Sequence, residues 1–460
     1  MTPDLNPFAT VQEAPSTLQE ESPGLRVAFW TLGCRLNQYD TEGIKAAMVA
    51  SYPVEIVGWQ DSAHVYVLNS CTVTGKADQE CRRLARQAKR RNPDSKVVVV
   101  GCYAQTQPES LAKVSEIDAV VGNTAKEDVE AWLPELLEGE AQFVAVEEFA
   151  PRPAFDSPLI DDFSGRSRAF VKIQDGCNLR CTYCLIWKAR GPGRSRSVQD
   201  ISTQLQRLVD AGFHETILAG IHLGGYGRDL EPKVLLPDLL EILLERFPTL
   251  RLRLSSIHPN EVTPLLLGLF RDNPRLRPHL HISLQSGSDG VLKRMKRPYR
   301  GQRAWDAIGN AAQVAPAFGL GADIIVGFPG ETTAEFEDTR RMIAELPFSY
   351  LHVFRYSQRP GTTAADMGDQ VHPETISERS AVLRALAEQK QLEFETGLVG
   401  TVREAVVESD TDLPGWRKAT TDNYVSILVP DTLETGSLIQ ARILRHEDGK
   451  LFAEVKEALQ

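Results

Sequence analysis

Six of the seven cysteines fall into two groups whose placement suits metal–thiolate chemistry. Cys177, Cys181 and Cys184 form a C-x3-C-x2-C run in "GCNLRCTYC". Three thiolates this close can grip a metal or a cluster. No further Cys or His lies between Asn178 and His214. A structural zinc site needs four closed ligands, so zinc fits poorly. A cubane iron–sulfur cluster with one iron left open fits better, because the open position can bind substrate. Cys34, Cys71 and Cys102 are 37 and 31 residues apart, yet each sits at or just past the end of an apolar run: "AFWTLGC", "VYVLNSC" and "VVVVGC". The carboxyl ends of parallel strands lie side by side. Three thiols there converge on one point and make a second candidate cluster site. Glycines before Cys34 and Cys102 permit tight turns. The competing reading is a set of packed or redox-active cysteines. Cys81 shares a helix face with Leu84, Ala85 and Ala88, which reads as core packing.

The elements that must position these groups form three domains in an α/β chain. Residues 1–23 read as a disordered tail. Residues 24–140 alternate strands (Leu25–Thr31, His64–Asn69, Lys96–Gly101, Asp118–Gly122) with helices near Asp40–Ser51, Lys76–Arg91 and Pro108–Val114, the rhythm of an open parallel sheet. Residues 141–165, rich in Pro and acidic residues, read as a linker. Residues 166–396 carry six strand–helix units, with strands at Arg168–Gln174, Glu215–Ala219, Arg251–Ser256, His279–Leu284, Ala322–Val326 and Tyr350–Arg355. Helices such as Val198–Ala211 and Thr332–Leu346 lie between them, and Ser377–Phe394 closes the set. This is a partial (β/α)6 barrel, and barrels place their sites in the loops after strands, where Cys177 falls. Residues 397–460 hold five short strands (Val402–Glu408, Trp416–Thr420, Tyr424–Val429, Ser437–Leu444, Leu451–Val455), a small OB-like β-barrel.

The composition agrees. A chain of 460 residues has room for about three domains. With 42% hydrophobic and 25% charged residues it is a soluble globular protein. No apolar run reaches the roughly 18 residues of a membrane span. The first basic residue is Arg26, which argues against a secretory signal. Seven cysteines, an odd number, suit a cytoplasmic protein using thiolates rather than disulfides. The net charge of −11 argues against nucleic acid, but its distribution argues for it. Seven Lys/Arg against one Asp lie in 81–96, eight against one Asp in 163–199, and six against none in 290–303. One basic face can coexist with an acidic total.

The C-x3-C-x2-C run with Tyr183 before its last Cys resembles the signature of radical S-adenosylmethionine (SAM) enzymes. Together with "TLGCRLNQYDTEG", "NSCTVT", "VVGCYAQ", "SLQSGSDGVLKRMKR" and "DIIVGFPGET", it makes residues 25–458 resemble the radical SAM methylthiotransferases. These join a three-Cys domain, a radical SAM barrel and a C-terminal TRAM domain. "LGCRLNQYDTE" is most similar to the branch acting on tRNA threonylcarbamoyladenosine beside the anticodon. The resemblance implies two 4Fe-4S clusters. The one on Cys177, Cys181 and Cys184 would bind SAM and pass it an electron, splitting it into methionine and a 5′-deoxyadenosyl radical. The one on Cys34, Cys71 and Cys102 would supply or carry the sulfur. A low-potential donor such as flavodoxin or ferredoxin would feed electrons.

For SAM the resemblance points to Tyr183 beside the cluster, the Gly220 segment, Ser255 and Ser256 for the ribose, and Gln285 on the same rim. It adds Arg294 or Arg297 for the carboxylate and Gly327 for the adenine. The acidic residue usual after the glycines is missing, since Ile221 and His222 follow Gly220. Arg190, Arg194 and Arg196 are expected to contact tRNA phosphate. The Arg82–Arg91 charges suit a solvated helix face. Residues 401–460 carry seven basic against eleven acidic residues, leaving Arg403, Arg417, Lys418 and Tyr424 as a local patch. The alternatives are methylthiolation of isopentenyladenosine or of a ribosomal protein, and a non-catalytic tRNA-binding cluster carrier.

Overall fold

The computed structural model describes residues 24–459 apart from 152, 156, 161–162 and 164–166. The expected tail, 1–23, lies outside the described residues. Six parallel strands open the fold: β1 (Leu25–Thr31), β2 (Val54–Val57), β3 (Val65–Ser70), β4 (Lys96–Gly101), β5 (Ala119–Val121) and β6 (Phe143–Ala145), in the order β2-β1-β3-β4-β5-β6. β3 and β4 are near-continuous apolar runs because helices cover both faces. On one face Val65, Val67, Val98 and Val100 pack beneath α1 (Arg35–Ser51) and the later Val129–Glu138 helix. On the other, Tyr66, Leu68, Val97 and Val99 meet α2 (Gly75–Arg91) through Leu84, Ala85, Ala88 and Cys81. Cys81 is therefore a core residue, as its helical spacing predicts. α2 is well specified locally. Thr74 caps it by accepting from the Ala77 N–H, and Lys89, Arg90 and Arg91 crowd its carboxyl end, where the helix dipole favours cations.

Three differences from the sequence reading matter. α1 begins at Arg35 rather than Asp40, directly after Cys34, because Asn37, Tyr39 and Asp40 are buried by tertiary contacts. Cys102 opens its own short helix, α3 (Cys102–Thr106), ahead of α4 (Pro108–Leu111). The expected linker, 141–165, opens with β6, which pairs in parallel with β5. The helix between these strands, α5, is the Val129–Glu138 segment already met.

The second domain is a curved sheet of six parallel strand positions. They are filled by β7 (Ala169–Asp175), β9 (Glu215–Gly220), β10 (Arg251–Leu254) with β11 (Ser256–Ile257) as one, β12 (His279–Gln285), β13 (Gly319–Val326) and β14 (Tyr350–Arg355), and the short β8 (Arg194–Ser195) adds an antiparallel edge to β7. One expected strand appears as β10 and β11, interrupted at Ser255, and this joins the runs β10-β9-β7-β8 and β11-β12-β13-β14. Helices at 198–210, 236–246, 264–272, 301–312 and 333–345 pack outside it. The loop after β7 leads to α6 (Ile186–Arg190), two residues beyond Cys184. The closing helix spans Pro373–Gly397.

The chain ends in a closed five-stranded barrel: β15 (Val402–Asp410), β16 (Trp416–Thr421), β17 (Ser426–Pro430), β18 (Leu438–Glu447) and β19 (Lys450–Ala458), in the order β15-β16-β17-β19-β18. It docks on the amino ends of the large barrel's strands, the end that carries stability rather than chemistry. Arg168 pairs with Glu408, and Arg251 and Arg277 pair with Glu404. Arg253 donates to the carbonyls of Thr421 (3.0 Å) and Asp422 (2.9 Å). Tyr424, expected in a strand, instead sits in the turn after β16 with a φ of 70°. Its ring stacks on His279 at 4.4 Å, and its hydroxyl accepts from Arg35 of the first domain. The acidic excess of this domain is thus partly used in docking. Of the expected basic patch, Tyr424 belongs to this interface and Arg403 pairs with Asp422. Among the described residues no helix is long and apolar enough to cross a membrane.

Candidate active site

The first three-cysteine site is built by the turns after β1, β3 and β4. Gly33 has a φ of 95°, and a Cβ there would lie 2.6 Å from Cys71 Cβ and 2.7 Å from its Sγ. Only glycine lets the Cys34 turn come this close to Cys71. Asn37, one turn into α1, staples the three turns. Its Nδ2 donates to the carbonyls of Leu32 (2.8 Å) and Ser70 (2.9 Å). Its Oδ1 lies 4.0 Å from Cys34 Sγ and 3.8 Å from Cys102 Sγ. The Val73 N–H points at Cys71 Sγ (3.5 Å) and Asn123 Nδ2 at Cys102 Sγ (3.7 Å). Burial pushes the Cys71 thiol up to about 12, and its neighbours Cys102 and Cys34 push the same way. Burial also raises Cys34, with Arg190 opposing.

The second site follows β7. Gly176 has a φ of 69°, and any Cβ would strike the Pro192 carbonyl at 2.0 Å. Each sulfur accepts one N–H: Cys177 from Leu179 (3.5 Å), Cys184 from Ile186 (3.3 Å) and Cys181 from Arg297 Nη1 (3.3 Å). Burial holds Cys184 protonated, up to about 12, and Cys181 and Cys177 add to this. Both triads are thus clustered thiols with N–H donors already aimed at sulfur; Cys71, Cys102 and Cys181 are buried, while Cys34 is exposed and Cys177 and Cys184 are half-buried. A bound iron cluster deprotonates such thiols outright, and the donors then stabilise the thiolates. The donor sets fit iron–sulfur clusters.

The remaining candidates ring the carboxyl ends of the barrel strands. Tyr183 packs edge-on against Phe328 at 6.5 Å, beside Gly327. The Gly327 N–H is taken by Glu331, leaving its carbonyl and the Phe328 face. Gly220 packs on Gln174, and Ser256 opens β11. Ser255 Oγ is buried with no protein partner, a free hydroxyl in the break between β10 and β11. Gln285 is nearly buried and ends β12 with a φ of 70°. Arg294 is fully engaged, forked onto Glu335 and donating to Pro329 and Gly330 carbonyls. Arg297 donates to Cys181, Ser283 and Tyr299, which leaves two of its five N–H groups.

A carboxylate from another loop does reach the segment after Gly220. Glu261 Oε1 lies 2.5 Å from His222 Nε2, and His258 stacks on His222 at 4.8 Å. A Cβ on Gly224 would meet Glu261 Oε2 at 2.1 Å, so the glycines make room for this carboxylate. His222 also lines a cleft of about 190 Å³ beside Asn178 and Leu179 of the cysteine loop. The one sequence cue for Glu261 was the empty place after Gly220.

Arg190 and Arg196 are buried and Arg194 is largely covered, so they do not face solvent as phosphate contacts would. Arg190 is 1% exposed and bridges Asp175, Asp40 and Asn37. Arg194 pairs with Asp175 at 3.1 Å, and Arg196 donates to Tyr39. Asp40 also holds Lys126 and Lys172. This buried network stitches the first domain to the barrel, and it turns Lys172, Arg190, Arg194 and Arg196 of the basic run in 163–199 inward, while Arg180 and Lys188 stay exposed. On α2 most charges are also spent on neighbours: Arg82 on Tyr103, Arg83 on Glu80, and Lys89 on Asp118.

A barrel carrying three cysteines after its first strand, fused to a three-cysteine α/β domain, defines the class. The radical SAM superfamily pattern matches residues 171–343, and Uncharacterized protein family UPF0004 matches 26–122. The chain is 38% identical to the threonylcarbamoyladenosine tRNA methylthiotransferase MtaB of Bacillus subtilis, over 91% of this chain and 94% of that one. It is equally identical to the protein of that name from Aquifex aeolicus, over 91% of this chain and 100% of that one. It is 32% identical to the tRNA-2-methylthio-N(6)-dimethylallyladenosine synthase of Agrobacterium fabrum, over 95% and 99%. The chain belongs to the radical SAM methylthiotransferase family. The radical SAM methyltransferase TsrM from Kitasatospora setae shares the fold, with a TM-score of 0.57 at 14% identity over 74% of this chain and 77% of that one.

Proposed function

We propose that the protein is a tRNA methylthiotransferase that replaces a C–H of threonylcarbamoyladenosine, next to the anticodon, with a methylthio group. The observation that carries this is the bridge between the two thiol triads. α6 starts two residues after Cys184, and its last residue, Arg190, reaches the amide shared by Cys34 and Cys102. From Ile186 to Arg190 is about 6 Å of helix. Two cluster sites so linked can serve one substrate carbon, which a single-cluster enzyme or a carrier has no need to do.

Cys177, Cys181 and Cys184 would hold the cluster that binds SAM, and Cys34, Cys71 and Cys102 the second. When bound, these groups and SAM supply one-electron chemistry, sulfur and the methyl group. The chain's own residues position them. Ser255 Oγ offers an unused hydroxyl to a ribose, Glu261 a carboxylate to the SAM ammonium, and Arg297 its two spare N–H groups to the SAM carboxylate. Gly220, Ser256, Gln285, Tyr183 and the Gly327–Phe328 segment shape the rest of the pocket. For tRNA, Arg180 and Lys188 are exposed beside the cluster, with their cations 5.0 and 5.3 Å from the Trp187 ring. Cations around an aromatic face suit an unstacked anticodon nucleotide. The low-potential donor would be a flavodoxin or ferredoxin, working in the cytoplasm where tRNA is modified.

The test is anaerobic reconstitution with SAM, sulfide and reductant, followed by nucleoside mass spectrometry of the tRNA. Threonylcarbamoyladenosine should gain a methylthio group. Cys34→Ala should abolish this gain while SAM cleavage continues. Product on isopentenyladenosine alone would move the protein to the other branch, and SAM cleavage without product on any tRNA would refute the reading.

A further inference from the structure

We infer that Arg190 forms the cationic wall of a sulfur-anion subsite at the three-cysteine site, its Nε–H donating to a sulfur of the group held by Cys34, Cys71 and Cys102. This rests on the reading above that these cysteines carry an iron–sulfur cluster. Arg190 belongs to the barrel, not to the domain whose cysteines it faces, and its guanidinium is fixed from three sides. Nη1 meets both Asp175 oxygens (3.1 and 3.2 Å), and Nη2 meets Asn37 Oδ1 (2.6 Å) and Asp40 Oδ2 (2.8 Å). Nε is buried and has no partner. A buried N–H left unpaired costs about 1–3 kcal/mol, and native proteins seldom leave one.

What surrounds the guanidinium identifies the missing acceptor. Asn37 Oδ1, which takes the Nη2 hydrogen bond, also lies next to the sulfurs of Cys34 and Cys102. Asn123 ties the same place from the other side, donating to Cys102 Sγ (3.7 Å) and to the Ala189 carbonyl (2.7 Å). The acceptor is therefore a sulfur: a cysteine thiolate of the cluster, a cluster sulfide, or a sulfide carried on the open iron. All three are anionic sulfur and would be stabilised by a charged N–H donor. Arg190 is then a positioning residue that makes the second cluster easier to reduce, because charge and hydrogen bonds to sulfur raise a cluster's potential. It does so only while the two domains are docked.

The experiment uses the full-length chain with Cys177, Cys181 and Cys184 all changed to Ala, so that one cluster remains. Iron per chain and the midpoint potential, from an anaerobic redox titration read by electron paramagnetic resonance, are compared for Arg190, Arg190→Lys and Arg190→Met. Lys keeps a charge near Asp40 and Asp175 but lacks the planar fork. Both variants should keep their iron and be harder to reduce. In Arg190→Met the reduction equilibrium should fall at least tenfold, about 59 mV for one electron. The same substitutions in the chain with all its cysteines should leave the barrel cluster's potential unchanged, which controls for folding. A residue with a purely structural role would lower the melting temperature and leave the second cluster's potential alone, and that result overturns the inference. Absence of any cluster in the three-cysteine background with Arg190 intact would overturn the proposed function itself.

Discussion

Asp40→Asn tests how the first domain is fastened to the barrel. Asp40 is 0% exposed, and its two oxygens accept from Lys126, Lys172 (2.6 Å) and Arg190 (2.8 Å). Burial raises its pKa, but Lys126, Lys172 and Arg190 together more than reverse this and hold the carboxyl well below the usual range. Asn keeps the shape and removes the charge. Arg190 then keeps Asp175, and Lys172 keeps Glu127 at 3.5 Å. Lys126 keeps no ion-pair partner among the described residues. Removing one partner of a buried pair costs about 3–5 kcal/mol. The loss has a ceiling, because Lys126 can give up its proton. From an ordinary pKa near 10.4 that costs about 4.6 kcal/mol at pH 7.

The two figures agree, so unfolding free energy should fall by about 3–5 kcal/mol at pH 7. The pH dependence gives a second check. With Lys126 neutral in the folded variant and charged in the unfolded chain, the unfolded state binds one more proton. Stability of the variant relative to wild type then rises with pH, by about 1.4 kcal/mol per unit below the unfolded lysine pKa. At pH 9 most of the deficit should be gone. Urea unfolding of the anaerobic, cluster-free protein at pH 7 and 9, followed by tryptophan fluorescence, measures both. Asp40→Asn combined with Lys126→Met should recover part of the loss and cancel the slope. A loss below about 1 kcal/mol, or one that ignores pH, would show that the network is not a dry, charge-paired joint.

Two further outcomes follow from the docking surface and the SAM pocket. Tyr424→Ala should cost about 3 kcal/mol, since the ring packs on His279 and lies within cation–π reach of Arg35, Arg168 and Arg253. It should also speed proteolysis at 397–401, and an unchanged melting temperature and cleavage rate would contradict the docking role. Glu261→Gln should weaken SAM binding roughly tenfold by equilibrium dialysis, the loss of one charge-assisted hydrogen bond of about 1.5 kcal/mol. An unchanged affinity would place the ammonium partner elsewhere.

Much of this architecture was legible because local signals and global fold agree. The apolar runs before Cys34, Cys71 and Cys102 are long enough to be parallel strands, and parallel strands leave their ends side by side. The six barrel strands likewise begin and end within a few residues of their sequence-read limits. What the sequence hid were partners distant in the chain. Arg190, Arg194 and Arg196 have the composition of a phosphate loop. Their carboxylates, Asp40 and Asp175, lie on separate elements, so charge spacing alone could not pair them. Glu261 escaped for the same reason, since the empty place after Gly220 says that a partner is lacking but not which distant residue supplies it. β2 and β6 were missed because short edge strands carry little periodic signal. Tyr424 looked like a strand residue because its propensity is high there, whereas the turn around it needs a positive φ.

The link between Arg35 and Tyr424 joins residues 389 positions apart. Ribosomes add about 5–20 residues per second. Between the emergence of Arg35 and that of its partner about 20–80 s must pass. Throughout that interval the Cys34 turn, which Arg35 follows directly, has the barrel's Arg190 and Lys172 to fasten Asn37 and Asp40 but lacks its contact with the C-terminal domain. The lower barrel rim likewise waits with Arg168, Arg251 and Arg277 facing no Glu404 or Glu408. The Arg35 tie beside the first three cysteines is therefore the last of their contacts to close, although Arg35 is among the first residues made. The nascent chain passes through a period in which that side of the site is fastened by one domain fewer than in the finished protein.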